Sequence, residues 1–175
     1  MWARSIDNVH ERRIAAPAGV VGDALDRLGG PDDVLWPGDR WWPMILDQRL
    51  GVGADGGHSE IRYRVVDHAP GRRVRFEIHS VPGITGYHEF TVTEADDGVL
   101  LRHDLQCELT GVMRLVGPTF VEPLHDAVLE DLLDNAELTA TGRVRRPARW
   151  SPWVRVLRLL DRSLPGRVWR PARNA

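Results

Sequence analysis

Residues 86–111 read GYHEFTVTEADDGVLLRHDLQCELTG. Two alternating runs meet at Asp96-Asp97-Gly98, the signature of a tight hairpin turn. A turn centred on Asp96-Asp97 pairs Val92 with Leu101, Phe90 with His103, and His88 with Leu105. His88 and His103 are then diagonal neighbours, close enough for their side chains to meet. They share a face with Phe90, Val92, Val99, Leu101, Leu105 and Cys107. Two imidazoles on an otherwise apolar face require either internal hydrogen-bond partners or a ligand.

Upstream of this hairpin the period is also two. SEIRYRVVDH (59–68) sets Ile61, Tyr63 and Val65 against Arg62 and Arg64. After the turn Ala69-Pro70-Gly71-Arg72, RVRFEIHS (73–80) sets Val74, Phe76 and Ile78 against Arg73, Arg75 and Glu77. Such alternation describes antiparallel strands with one wet face and one buried face. LDQRLGVGADG (46–56) reads as a further strand loosened by glycines, and NVHERRIA (8–15) as a first strand. Between them lie a short helix from Pro17, ended by Gly29-Gly30-Pro31, and an irregular Trp-rich stretch over 34–48.

After Gly117-Pro118 the period changes to 3.6. TFVEPLHDAVLEDLLDNAELTA (119–140) places Val121, Leu124, His125, Val128, Leu129, Leu132 and Ala136 on one stripe. Asp126, Glu130, Asp134 and Glu137 fall largely on the opposite side. The order is strand, short helix, Trp-rich segment, five strands and a long helix. An antiparallel sheet in that order buries one face by wrapping around the final helix, which makes the fold class α+β.

Three stretches carry a family resemblance: HERRIAAPAGVVGDAL near the start, YHEFTVTEADDGVLLRHDLQ, and PLHDAVLEDLLDNAE. Together they span about residues 7–141, and there the chain resembles the START/Bet v 1-like (SRPBCC) superfamily of polyketide cyclase/dehydrase and lipid-transport proteins. The resemblance implies a helix-grip fold with a deep, mostly apolar cavity between sheet and helix. Members variously bind lipids, hormones or polyketides, and some catalyse cyclisation or dehydration. No catalytic motif of the aromatase/cyclase members carries over residue by residue.

A cavity of that kind is expected to be lined by Tyr63, Phe76, His88, Phe90, His103 and Cys107 from the sheet and by His125 from the long helix. Trp41 and Trp42 are candidates to gate its mouth with Met44, and Arg49 to meet an acidic group of the ligand. An imidazole in such a place can orient a carbonyl or phenol, or act as general acid and base near neutral pH. The same histidines can equally be core residues bonded to internal partners. The expected function is binding of a hydrophobic, lipid- or polyketide-like molecule, as carrier or sensor, with a cyclase or dehydratase as the alternative. A metal site from His88, His103 and His125 has no spacing signature behind it. No metal and no cofactor is therefore expected. The glycines of 51–57 lack the helix start that phosphate binding needs.

The 175-residue chain, 42% hydrophobic and 27% charged, suits one globular domain with an appendage. The single cysteine, Cys107, excludes an internal disulfide and any cysteine-based metal knuckle. MWARSIDNVHERR lacks the apolar run of a secretion signal, and no stretch reaches the roughly 20 apolar residues of a membrane span. A cytoplasmic location is the expectation.

Charge divides the chain. Residues 142–175 hold ten arginines and one acid, a net +9, which leaves −11 on residues 1–141 of the total −2. The first part reads as the ligand-binding domain and the second as a basic extension with an amphipathic helix over 151–164. Ser151-Pro152 starts that helix and Pro165-Gly166 stops it. Arg155, Arg158 and Arg162 lie within about 60° of one another on its wheel. The helix suits docking on its own acidic body, a homodimer contact, or peripheral contact with an anionic membrane. An acidic body disfavours nucleic acid.

Overall fold

The computed structural model describes residues 3–163, with the side chains of 161–163 left out. Seven antiparallel strands form one open sheet in the order β1-β7-β6-β5-β4-β3-β2. They are β1 (Arg4–Ile14), β2 (Ile45–Leu46), β3 (Asp55–His58), β4 (Ile61–Ala69), β5 (Arg73–Ile78), β6 (Ile84–Ala95) and β7 (Gly98–Leu109). Helix α1 (Ala18–Leu25) follows β1. Helix α2 (Met113–Val116), a π-helical turn (Gly117–Val121) and helix α3 (Glu122–Thr141) follow β7, and α4 (Pro152–Ser163) ends the described chain.

The hairpin register read from the sequence is the register observed: Val92↔Leu101, Phe90↔His103 and His88↔Leu105, closed by Ala95↔Gly98. The sheet curves where its strands carry irregularities. A bulge between Val65 and Asp67 interrupts the β4–β5 register. Gly86 in β6 has φ 146°, and a Cβ there would meet the Gln106 carbonyl oxygen at 2.1 Å. Only glycine lets β6 bend so closely over β7 at that point.

Tyr63, Val65, Val74, Phe76, Phe90 and Leu101 from the sheet meet Val128, Leu129, Leu132, Leu133 and Ala136 from α3 in one buried cluster. Burying a Leu or Phe side chain of this kind contributes about 1.5–3 kcal/mol each. Helix α3 ends at Gly142, whose φ of 75° is the left-handed cap that glycine takes without strain.

Three expectations are corrected. The single strand over 46–56 is two short strands, because Gly53 turns at φ 93° and Asp47 holds the backbone N–H of Asp55 in a looped-out segment. The final helical run begins at Met113 rather than 119, since Gly117 and Pro118 are absorbed in a π-helical turn instead of breaking the helix. The first strand starts at Arg4, paired with β7 along its whole length.

The acids of α3 face β1. Arg12 contacts Glu130 (3.2 Å), Asp134 (2.8 Å) and Glu137 (3.0 Å), and Arg145 donates to Glu137 at 2.8 Å. Glu137 is 2% exposed, fully compensated by two arginines.

The basic extension lies on its own body. Ala148 N–H donates to Asp134, and the Trp150 indole donates to Asp131 at 2.9 Å. Asp131, 2% exposed, also accepts from the Trp41 indole (2.8 Å) and Arg40 (2.9 Å). Helix α4 buries Val154, Leu157 and Arg158 and leaves Trp153, Val156, Leu159 and Leu160 exposed. The arginine stripe thus turns partly inward: the Arg158 guanidinium lies 4.5 Å over the Trp41 ring and donates to the Arg40 carbonyl. Leu164 and the Pro165-Gly166 stop lie outside the described residues. Among those residues, no helix is long and apolar enough to cross a membrane.

Candidate functional site

Sheet and α3 enclose a cavity of about 260 Å³, at the small end of ligand clefts. Tyr63, His88, Phe90, His103, Cys107, His125, Trp41 and Trp42 all line it, as read from the sequence. The π-helical turn contributes Gly117, Phe120 and Val121 to the wall. Pro118 forces that local widening, and the widening puts these residues on the cavity.

Two expected residues stand elsewhere. Arg49 is exposed on the looped-out segment between β2 and β3. Phe76 is completely buried behind the wall, stacked on His88 with centroids 5.1 Å apart at 18°. Phe76 therefore holds a cavity residue in place and does not itself face the lumen.

The polar groups form a row. Tyr63 meets His88 edge to face at 4.8 Å, and His88 meets His103 at 5.5 Å, with Nδ1 of the first 3.4 Å from Nε2 of the second. His125 sits over His103 at 5.2 Å. At one end His58 lies 6.0 Å from Tyr63 and 4.7 Å from Trp36. At the other end His10, opposite His103 in the β1–β7 register, lies 6.1 Å from His125.

His58 and His10 are absent from the residues singled out in the sequence. His58 was within reach of the alternation argument, since it pairs with Ile61 in β3–β4 and shares the inner face with Tyr63. His10 was legible only as the centre of a polar row, Asn8-His10-Arg12, in a strand whose other inward residues are Ile6 and Ile14.

Charge separates the row into two parts. Burial lowers His58 and His88 to about 3, with nearby His125 adding to the effect. Burial also lowers His103 and His125, and raises the Tyr63 phenol above its usual range. The four cavity imidazoles and the phenol are thus neutral at neutral pH, and the carboxylate of Glu122 is the acid among the lining residues. His10 is the opposite case. Burial opposes its cation, but hydrogen bonds to Asp126 and Glu130 outweigh burial and raise it to about 9. Asp126 is correspondingly held well below the usual carboxylate range: burial works against its charge, and the bond from His10 leads the groups that overcome it.

Three buried polar atoms along the row lack a hydrogen-bond partner: Tyr63 Oη, His103 Nδ1 and His125 Nδ1, the last of which faces Asp126 Oδ1 at 3.8 Å. A buried, unpaired polar atom is costly, so Tyr63 Oη and His103 Nδ1 are points at which a molecule in the cavity gains hydrogen bonds.

No protein-family model matches the sequence, and no curated protein does. Among solved structures, the chain is similar to CalU16 from Micromonospora echinospora at 20% identity, covering 90% of this chain and 83% of that one, with a TM-score of 0.51. It is similar to the di-domain ARO/CYC StfQ of the steffimycin biosynthetic pathway at 13% identity and a TM-score of 0.61. That match covers 79% of this chain and spans 51% of StfQ. It is also similar to a Thalictrum norcoclaurine synthase in complex with a transition-state analogue, at 13% identity over 76% of this chain and 96% of that one, with a TM-score of 0.55.

The chain has a helix-grip fold, the fold it shares with these structures. Identity this low carries the fold and nothing finer. Within the helix grip, the residues that differ from a simple apolar lining are the imidazole row, Tyr63, Ser59 and Glu122.

Proposed function

We propose that the protein binds a small, largely apolar molecule carrying one or two carbonyl or phenol groups, as a carrier or sensor. The observation that carries this reading is the pair of unpaired buried atoms, Tyr63 Oη and His103 Nδ1, beside a mostly apolar cavity. Neutral imidazoles and a phenol can donate to or accept from such groups without the cost of a buried charge. A volume near 260 Å³ favours a compact polycyclic or single-chain occupant over a two-chain lipid. Neighbours of the same fold include the di-domain ARO/CYC of the steffimycin biosynthetic pathway, which supports this ligand class.

A second reading rests on one contact, the His88–His103 pair at 3.4 Å. Two neutral imidazoles in that relation can pass a proton, which supports cyclase or dehydratase chemistry on a polyketide-like substrate.

Native mass spectrometry of freshly purified protein tests the first reading, with a co-purified apolar molecule as the expected result. Titration with a hydroxyanthraquinone, followed by tryptophan fluorescence through Trp36, Trp41 and Trp42, gives the affinity. His88→Ala and His103→Ala are expected to weaken binding about tenfold each. Turnover of the bound molecule that either variant abolishes would transfer the conclusion to the second reading. Failure of both native mass spectrometry and the titration to show binding would refute the first.

A further inference from the structure

Beside the cavity, where β1 crosses α3, three side chains converge outside the uncharged part of the row. We propose that His10, His125 and Asp126 form a binding site for one divalent transition-metal ion, with zinc as the best-matched ion. This is independent of any ligand in the cavity.

The geometry comes first. One ligand atom from each residue lies within 4.8 Å of the others. His10 Nε2 is 3.2 Å from Asp126 Oδ1, and His125 Nδ1 is 3.8 Å from the same oxygen. Ligands about 2.0–2.2 Å from a tetrahedral zinc are about 3.4 Å apart, so shifts of about an ångström or less close the set. Two imidazoles and one carboxylate are borderline ligands of the kind that first-row ions from iron to zinc accept.

The surroundings supply independent support. His125 Nδ1 and Asn8 Oδ1 are buried without partners, on the two sides of Asp126. A proton held by His10 between Asp126 and Glu130 explains His10 alone and leaves His125 Nδ1 unpaired. A metal ion in place of that proton uses all three residues. The other nitrogen of His10, Nδ1, lies 2.8 Å from Glu130 Oε1, the carboxylate–imidazole relation that orients a metal-bound histidine. Asn8 Nδ2 donates to Asp126 Oδ1 at 2.9 Å and fixes that carboxylate. Among the described residues no other group of three gathers in this way, and the His88, His103 and His125 set does not.

The test uses the full chain stripped with a chelator and titrated with Zn²⁺ by calorimetry, and with Co²⁺ by visible absorption. One saturable equivalent is expected, with the strong visible bands of a four-coordinate cobalt site. His10→Ala and Asp126→Asn should each weaken zinc binding at least 100-fold, and Glu130→Gln about tenfold. Asp126→Asn keeps the side chain's shape and its acceptor for Asn8, so it separates loss of a ligand from loss of fold. The His–Asp pairs His68–Asp26 and His79–Asp55, away from the site, control for adventitious binding. The double variant His68→Gln/His79→Gln should bind zinc as the wild type does. Absence of a saturable equivalent, unchanged affinity in Asp126→Asn, or loss of binding in that double variant would each overturn the site.

Discussion

Lowering the pH from 7.5 to 5.0 should destabilise the protein through histidines that fold in the neutral form. His58 and His88 have folded values near 3 against 6.5 for the free side chain. Below pH 6.5 the unfolded chain takes up a proton at each position that the folded chain refuses. Stability therefore falls as pH drops from 6.5 toward 3, by about 1.4 kcal/mol per pH unit and per histidine. At pH 5.0 the full effect is about 2 kcal/mol for each residue. Both side chains are only partly covered, with open sides on the cavity, and water entering an empty cavity reduces this to about 1–2 kcal/mol each. Fully buried His103 adds in the same direction. Against a typical total of about 5–15 kcal/mol, the loss is large enough to move a urea midpoint clearly.

Other groups respond in this window, and their signs differ. His10 is raised to about 9, so its stabilisation is complete below pH 6.5 and is lost as pH climbs through 9. Acidification from 7.5 to 5.0 thus strengthens the His10 contacts, by less than about 1 kcal/mol because Asp126 and Glu130 are about 40% exposed. Asp126, Glu130 and Glu137 have lowered values, so their contribution is present above about pH 4.5 and is lost only below it. The His88→Phe variant isolates the wanted part. Phenylalanine keeps the stack on Phe76 and the edge contact with Tyr63 while removing the titrating ring. In urea unfolding with a chelator present, wild type should lose about 1–2 kcal/mol more than His88→Phe between pH 7.5 and 5.0. Equal losses in the two proteins, or an NMR titration midpoint for His88 near 6.5, would refute the reasoning.

Two further perturbations probe the scaffold. Asp131→Ala leaves the indoles of Trp41 and Trp150 and the Arg40 guanidinium without their shared acceptor, at an expected cost of about 3–5 kcal/mol in urea unfolding. The same variant should expose the 143–151 connection to limited proteolysis, and a protection pattern identical to wild type would show that Asp131 does not hold the extension. Gly86→Ala forces a Cβ against the Gln106 carbonyl at a positive φ, and should lower stability by about 2 kcal/mol or more, whereas a neutral effect would place the bend of β6 elsewhere.

Local rules reached some residues and not others. The β6–β7 hairpin was legible because a two-residue turn fixes the register and alternation then fixes the face, so Phe90↔His103 followed from counting. The 3.6 period of α3 located Val128, Leu129, Leu132 and Ala136 correctly in the core. It said nothing about what the other side of the helix meets. Charged residues are usually solvated, yet Glu130, Asp134 and Glu137 meet Arg12 from a strand more than 100 positions away. That pairing depends on β1 being the edge strand beside β7, a fact of topology that periodicity does not encode. Arg49, singled out within the segment 38–58 for an acidic ligand group, lies exposed on the loop that replaces the strand over 46–56, a position that residue type does not encode.

The contrast within the imidazole row shows why residue type alone could not assign roles. His103 and His10 face each other across two paired strands, yet one is neutral and the other a cation. The difference lies in where α3 places its carboxylates. Asp126 and Glu130 are one helical turn apart on the side of α3 that meets β1, so both reach His10. His125 stands between them and His103, and it offers His103 an imidazole where His10 has two acids. The cavity can therefore hold several neutral histidines, because Asp126 and Glu130, which would draw protons onto them, are committed to His10 on the far side of His125. A carboxylate placed next to His88, by Leu105→Glu in addition to Glu122 of the lining, would remove that separation and draw a proton onto the wall. The reading requires that such a variant raise the His88 midpoint toward neutrality and weaken capture of an apolar guest.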